Sequence, residues 1–142
     1  MKNVTKASID DLDSILHIDI DVLGDDSRRD YIKQAIEDER CIIVQENNSI
    51  SGFLTYDTNF FGCTFLSLII ISPMKRRQGH ASSLLSYMLE HSPTQKIFSS
   101  TNESNRSMQK VFSANGFIRS GIIENLDEGD PEIIFYIKKL RA

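Results

Sequence analysis

At 142 residues, with 40% hydrophobic and 25% charged positions, the chain has the size and composition of one globular domain with a real core. A formal net charge of -4 argues against a general nucleic-acid binder. The longest apolar run, "FLSLIIIS", is too short to span a bilayer, so neither nucleic acid nor membrane is an expected partner.

The opening residues, "MKNVTKASIDDLDS", lack the apolar centre of a secretory signal. Within them "NVTKA", Asn3 to Ala7, reads as a strand, and Ser8-Ile9-Asp10-Asp11 has the form of a helix cap. Ile9, Leu12 and Leu16, with Ile15, Ile18 and Val22, then follow at helical spacing until Gly24. Ser27 to Asp30 repeats the capping pattern, and Tyr31, Ala35 and Ile36 continue a second helical face. "CIIVQE", Cys41 to Glu46, and "ISGFLTY", Ile50 to Tyr56, read as strands joined by the Asn47-Asn48 turn. A third strand, "CTFLSLIIIS", runs from Cys63 to Ser72, and its nearly continuous apolar end predicts burial on both faces. Ala81, Leu84, Leu85, Met88 and Leu89 form the apolar stripe of the clearest helix, which starts near Gly79. "KIFSST" is the next strand. A helix from about Asn105 presents Met108, Val111 and Phe112 on one face and stops at Asn115-Gly116. "FIRSGII" and "EIIFYIKKL", the latter reaching Leu140, are the last strands, on either side of the acidic turn "ENLDEGDPE". Cys41 and Cys63 form no C-x-x-C pair, so small buried thiols in a reduced, cytoplasmic setting are expected, without a disulfide framework or a zinc site.

"SPMKRRQGHASSLL", Ser72 to Leu85, stands out. Lys75, Arg76 and Arg77 precede a helix start, where the helix already carries partial positive charge. Read alone, such a run is a solvated loop. A buried strand, Pro73 and then Gly79 at the helix start turn it into a candidate anion site, because glycine lets an anion approach the helix amides. A phosphate or pyrophosphate is the natural guest. The stretch is neither a P-loop, since no G-K-[ST] follows, nor a dinucleotide fingerprint, since the glycine triplet is missing.

Arg76-Arg77-Gln78-Gly79-His80-Ala81 resembles the Q/R-x-x-G-x-G/A signature of the GNAT superfamily of N-acetyltransferases. "NRSMQKVFSANGF", Asn105 to Phe117, is similar to the later N-x-x-A-x-x-x-Y-x-x-x-G-F segment of the same superfamily, with Asn105, Gly116 and Phe117 in register. The spacing of the two segments and the order of elements around them agree. The resemblance implies a single GNAT domain over residues 1–142. It implies an α/β (α+β) fold with a mixed, mostly antiparallel sheet of about six to seven strands flanked by about four helices. It also implies acetyl-CoA as the acetyl donor, held between two splayed central strands. The pyrophosphate would lie on the backbone N–H groups of Arg77, Gln78, Gly79, His80, Ala81 and Ser82, with Arg76 beside them. The pantetheine arm would pair with the strand edge at Leu68, Ile69, Ile70 and Ile71, and Asn105 would contact it from the next helix.

Two departures from the family pattern matter. The tyrosine proposed in relatives to protonate the leaving thiolate is replaced by Phe112, which has no proton to give and reads as a core residue beside the cofactor arm. No carboxylate lies within "TFLSLIIIS", where some relatives carry a base. Tyr56, Asp57, Glu124 and Tyr136 are candidate bases by their places near strand ends. His80 reads as a phosphate contact or a solvated side chain. In the acidic turn, Glu124, Glu128 and Asp130 are candidate acceptor-binding residues that would attract a cationic amine, although a solvated hairpin is the plainer reading. Glu128 and Asp130 flank Gly129 and are expected to project furthest.

The expected function is acetyl transfer from acetyl-CoA to a primary amine by direct attack, on a small amine or a protein amine, by a monomer or homodimer without a metal. The alternative is a CoA-binding module with little or no catalysis.

Overall fold

A computed structural model of the chain describes residues 1–139. Chain order begins with β1 (Lys2–Lys6), a 3-10 turn, α1 (Leu12–Leu23) and α2 (Arg29–Glu37). β2 (Cys41–Glu46), β3 (Ser49–Phe60) and β4 (Cys63–Ile71) follow, then α3 (His80–His91), β5 (Lys96–Asn102), α4 (Arg106–Ala114), β6 (Ile118–Ile123) and β7 (Glu132–Lys138). The described residues thus form the expected mixed sheet of seven strands, ordered β1-β2-β3-β4-β5-β7-β6, with four α-helices. Pairing is antiparallel for β1–β2, β2–β3, β5–β7 and β6–β7, and parallel for β4–β5. Leu140, which the sequence assigns to the last strand, lies outside the described residues.

The chain groups into two compact units, one of Met1–Tyr56 with Leu68–Tyr87, the other of Asp57–Ser67 with the chain from Met88 onward. In the first, Ile15, Leu16 and Ile18 of α1 and Ile32, Ala35 and Ile36 of α2 bury their apolar stripes with Cys41, Ile43 and Phe53 of β2 and β3. The expected capping pattern closes the 3-10 turn Ile9–Asp11 that leads into α1, with the Ser8 N–H donating to the Asp11 carboxylate at 2.9 Å; the N-cap of α1 itself is Asp11. Gly24 ends α1 in the left-handed region at φ 97, donating its N–H to Ile20 O at 2.8 Å.

The start of α2 differs from the sequence expectation. Ser27 does not cap it; the N-cap is Arg28. Asp25 takes the Ser27 N–H at 2.9 Å, and hydrogen bonds from Ser27 hold the Asp25 carboxyl below its usual range. Arg28 instead donates to Asp19 of α1, a carboxylate only 1% exposed. A buried carboxylate demands a paired cation, and that demand outweighs a serine cap worth about 1 kcal/mol.

Cys41 is fully buried, and burial pushes its thiol up to about 12, so it is an inert core group. Cys63 is only half-buried, short of the buried position expected for it.

β4 also departs from expectation. Leu68, Ile69, Ile70 and Ile71 keep partial exposure rather than being buried on both faces. Leu68 and Ile70 pack on the helical core, while Ile69 and Ile71 point to the opposite face of the strand. Beside them, Gly52 of β3 is required by contact. A Cβ there would lie 2.6 Å from Ile71 Cδ1 and 2.7 Å from Ile70 O. The isoleucine tip can turn away, but the backbone oxygen cannot. Gly52→Ala is therefore expected to lower stability by about 1–3 kcal/mol in urea unfolding. An unchanged midpoint would mean that β3 and β4 part there at no cost.

In the second unit, β4 and β5 pair only from Thr64↔Ile97 to Leu66↔Ser99. The Ser99 hydroxyl donates to Leu66 O at 2.8 Å. Thr64, Ser92 and Thr94 share hydrogen bonds at the other end of this pairing. Phe60, Phe65, Phe98 and Tyr136 make a row of rings with centroids 4.9–5.2 Å apart. α4 buries Phe112 against Phe117 and Phe135.

Candidate functional site

The loop between β4 and α3 is built in steps. Ser72 N–H donates to Ser51 O at 2.8 Å, and Lys75 N–H closes the Pro73–Lys75 3-10 turn on Ser72 O at 2.8 Å. Arg76 is extended, and then Arg77 at φ 63 and Gly79 at φ 84 both enter the left-handed region. α3 begins at His80. Its first N–H groups have no partner within the helix and carry the positive end of its dipole. A left-handed residue beside such groups makes a concave set of donors suited to an anion. A Cβ placed on Gly79 would meet only the end of Lys2, with Cε at 3.9 Å and Nζ at 4.0 Å. The residues present therefore fit a phosphate group: open space over Gly79, exposed Arg76, Arg77 and Gln78, and the amides of a helix start. Ala81 and Ser82 follow, half-buried, in the first turn.

His80 is a correction to the sequence reading. It is 1% exposed, not solvated, and both ring nitrogens are engaged within the protein. Nδ1 lies 3.1 Å from Lys75 O and Nε2 lies 3.2 Å from Glu46 Oε1. Only the His80 backbone N–H is left for an anion. The imidazole instead ties the loop to the end of β2. Lys2 and Glu46 are site neighbours that sequence reasoning missed. They face each other in the β1–β2 register, and only that pairing brings them to the loop.

Also in the first unit is Tyr56, half-buried on β3 and fixed through its backbone. Its N–H donates to Arg40 O at 3.1 Å, and its carbonyl accepts from Arg40 Nη1 at 2.6 Å.

The second unit carries the other candidates. Asn105 is the N-cap of α4, with Oδ1 accepting the Met108 N–H at 3.1 Å and the Ser107 hydroxyl at 3.2 Å. That use of Oδ1 orients the side chain and leaves Nδ2 to donate. Phe112 is fully buried, stacked on Phe135 at 4.8 Å. Tyr136 is half-buried, its ring 5.2 Å from Phe98.

Within the acidic turn, Glu124 and Glu128 are exposed. Asp130 does not project as expected: it folds back to accept the Ser104 N–H at 3.0 Å and the Ser104 hydroxyl at 2.6 Å. Asp127 accepts from Asn102 Nδ2 and Glu132 from the Ser100 hydroxyl. Arg106 and Arg119 share with Asp130 the lining of an open cavity of about 570 Å3. The turn is therefore less bare an acidic surface than its sequence suggests.

Among the described residues no group of His, Cys, Asp and Glu could hold a metal ion, and no helix is long and apolar enough to cross a membrane.

Comparison with known proteins bears on the family and the fold. Residues 9–117 match the acetyltransferase (GNAT) family. A crystal structure of a GNAT-family acetyltransferase from Bacillus cereus ATCC 10987 is 84% identical over 99% of both chains, with a TM-score of 0.97. More distant structures share the fold. One is yncA from Salmonella typhimurium, solved with its cofactor acetyl-CoA, at 13% identity and TM-score 0.82, covering 100% of this chain and 96% of the other. Another is diaminobutyrate acetyltransferase EctA from Paenibacillus lautus, in complex with L-2,4-diaminobutyric acid and coenzyme A, at 16% identity and TM-score 0.77, covering 98% and 95%. No curated protein sequence matches the chain. The family match over most of its length, together with the close Bacillus cereus structure, establishes that this chain belongs to the acetyltransferase (GNAT) family.

Proposed function

We propose that the chain is an N-acetyltransferase, a single domain over residues 1–142, that moves the acetyl group of acetyl-CoA to a primary amine by direct attack. Acetyl-CoA is its acetyl donor and supplies an activated carbonyl on a thiolate leaving group. The observation that carries this reading is the turn into α3, with left-handed Arg77 and Gly79 and open space over the glycine. Arg76 and Arg77 add charge for the pyrophosphate. The backbone N–H groups of residues 77–82 bond its oxygens. The strand edge at Leu68, Ile69, Ile70 and Ile71 pairs with the amides of the pantetheine arm, and Asn105 donates to that arm from Nδ2. A backbone N–H near Ile71 polarises the thioester carbonyl.

The amine attacks in its neutral form, its proton passing to water or to Tyr56, Glu124 or Tyr136. Phe112 gives no proton. A thiol with a pKa near ~8.5 leaves tolerably as thiolate without one. Glu124 and Glu128 are the carboxylates of the acidic turn left to attract a cationic acceptor, a small amine or a protein amine, since Asp130 is committed to Ser104. The enzyme acts as a monomer or homodimer. Free thiols at Cys41 and Cys63 support a reducing, cytoplasmic setting.

Phe112 favours a second reading, a CoA-binding module with little turnover. A panel of primary amines with acetyl-CoA, read by thiol release, separates the two. The transferase gives amine-dependent release above hydrolysis. CoA binding without release for any amine supports the module, and no CoA binding excludes both.

A further inference from the structure

The β1–β2 edge brings a lysine to the phosphate loop that lies outside both family segments. Lys2 stands opposite Glu46 in the antiparallel register. A half-buried lysine beside a glutamate would ordinarily pair with it. Here the Glu46 carboxylate is turned to the buried His80 ring at 3.2 Å. Among the described residues Lys2 has no ion-pair partner. Its ammonium instead extends to Gly79, and Nζ would lie 4.0 Å from a Cβ on that residue. It therefore stands at the positive end of α3, beside a loop that already carries Lys75, Arg76 and Arg77. Cations gathered at a helix N-terminus repel one another and the dipole, and a bound anion relieves that repulsion.

We propose that Lys2 is a further donor-binding residue of this enzyme, its ammonium contacting the pyrophosphate of CoA from the β1 side of Gly79. This rests on the assignment of the loop as the CoA phosphate site. The Glu46–His80 pair serves it by occupying the carboxylate that would otherwise neutralise Lys2. The contact is a point charge on a flexible stem, so arginine can replace it and an uncharged side chain cannot.

The test is calorimetric binding of CoA, 3'-dephospho-CoA and pantetheine to the parent, Lys2→Met and Lys2→Arg. Thermal melts confirm that the half-buried site tolerates each change. Lys2→Met is expected to weaken CoA and dephospho-CoA about tenfold alike, to leave pantetheine binding unchanged, and to flatten the salt dependence of CoA binding. Lys2→Arg is expected to stay within about threefold of the parent. If the Lys2→Met effect vanishes with dephospho-CoA, the ammonium faces the 3'-phosphate and the pyrophosphate assignment is overturned. If Lys2→Met binds CoA like the parent while Gly79→Asp does not, Lys2 is no contact although the loop is the site. If Gly79→Asp also binds CoA normally, the loop assignment itself fails.

Discussion

Gly79→Asp is expected to fold and to bind CoA more than a hundredfold more weakly, a loss of about 2.7 kcal/mol or more in calorimetry. At φ 84 a side chain is strained, but aspartate is among the residues that tolerate this region best. Space is available, since the nearest atoms to a Cβ are those of Lys2 at 3.9 and 4.0 Å. The added carboxylate would stand where the anion belongs, at the positive end of α3, and would draw the Lys2 ammonium to itself. Repulsion of the pyrophosphate and loss of a cation act together. Gly79→Ala is the control, because it adds the strain without the charge, and its affinity should fall less than about tenfold. A folded Gly79→Asp chain with the parent's affinity would remove this loop from the donor site.

The largest expected loss of stability is at Phe112. Its ring is fully buried, stacked on Phe135 at 4.8 Å and 5.3 Å from Phe117. Phe112→Ala leaves a cavity where α4 meets its sheet and should cost about 3–5 kcal/mol in urea unfolding. Phe112→Tyr asks a separate question. The hydroxyl enters a packed aromatic cluster, so a loss of about 1–3 kcal/mol is expected, with no gain in turnover. A tyrosine variant that melts like the parent and turns over faster would mean that the ring edge opens on the reacting thioester. The missing acid would then be the only thing Phe112 withholds.

The turn from β4 into α3 was legible because its signal is local. An apolar strand, a proline stop, a run of cations and a glycine before an apolar stripe lie within one short stretch. α4 was legible for the same reason, from its apolar stripe and the Asn115-Gly116 stop. What the sequence misplaced depends on partners far along the chain. The His80 side chain reads as solvated until β2 supplies Glu46, 34 positions away, and the ring is buried against it. Ser27 has the pattern of a cap, yet the buried Asp19 decides the start of α2 by requiring Arg28. Asp130 flanks a glycine in a charged turn and reads as projecting. The turn before α4 offers it the Ser104 N–H and hydroxyl, which no local pattern announces. Lys2 became visible only through strand register.

Transfer of acetyl to nitrogen by this chain has a direct readout. The most direct measurement is carbon-13 NMR of the reaction of [1-13C]acetyl-CoA with the amine that gives the fastest thiol release. The thioester carbonyl signal is expected to give way to an amide carbonyl signal, in step with one equivalent of free CoA. Gly79→Asp is expected to suppress this conversion at donor concentrations that saturate the parent. Thioester that persists beside bound CoA, or that yields only acetate at the uncatalysed rate, would contradict acetyl transfer to nitrogen.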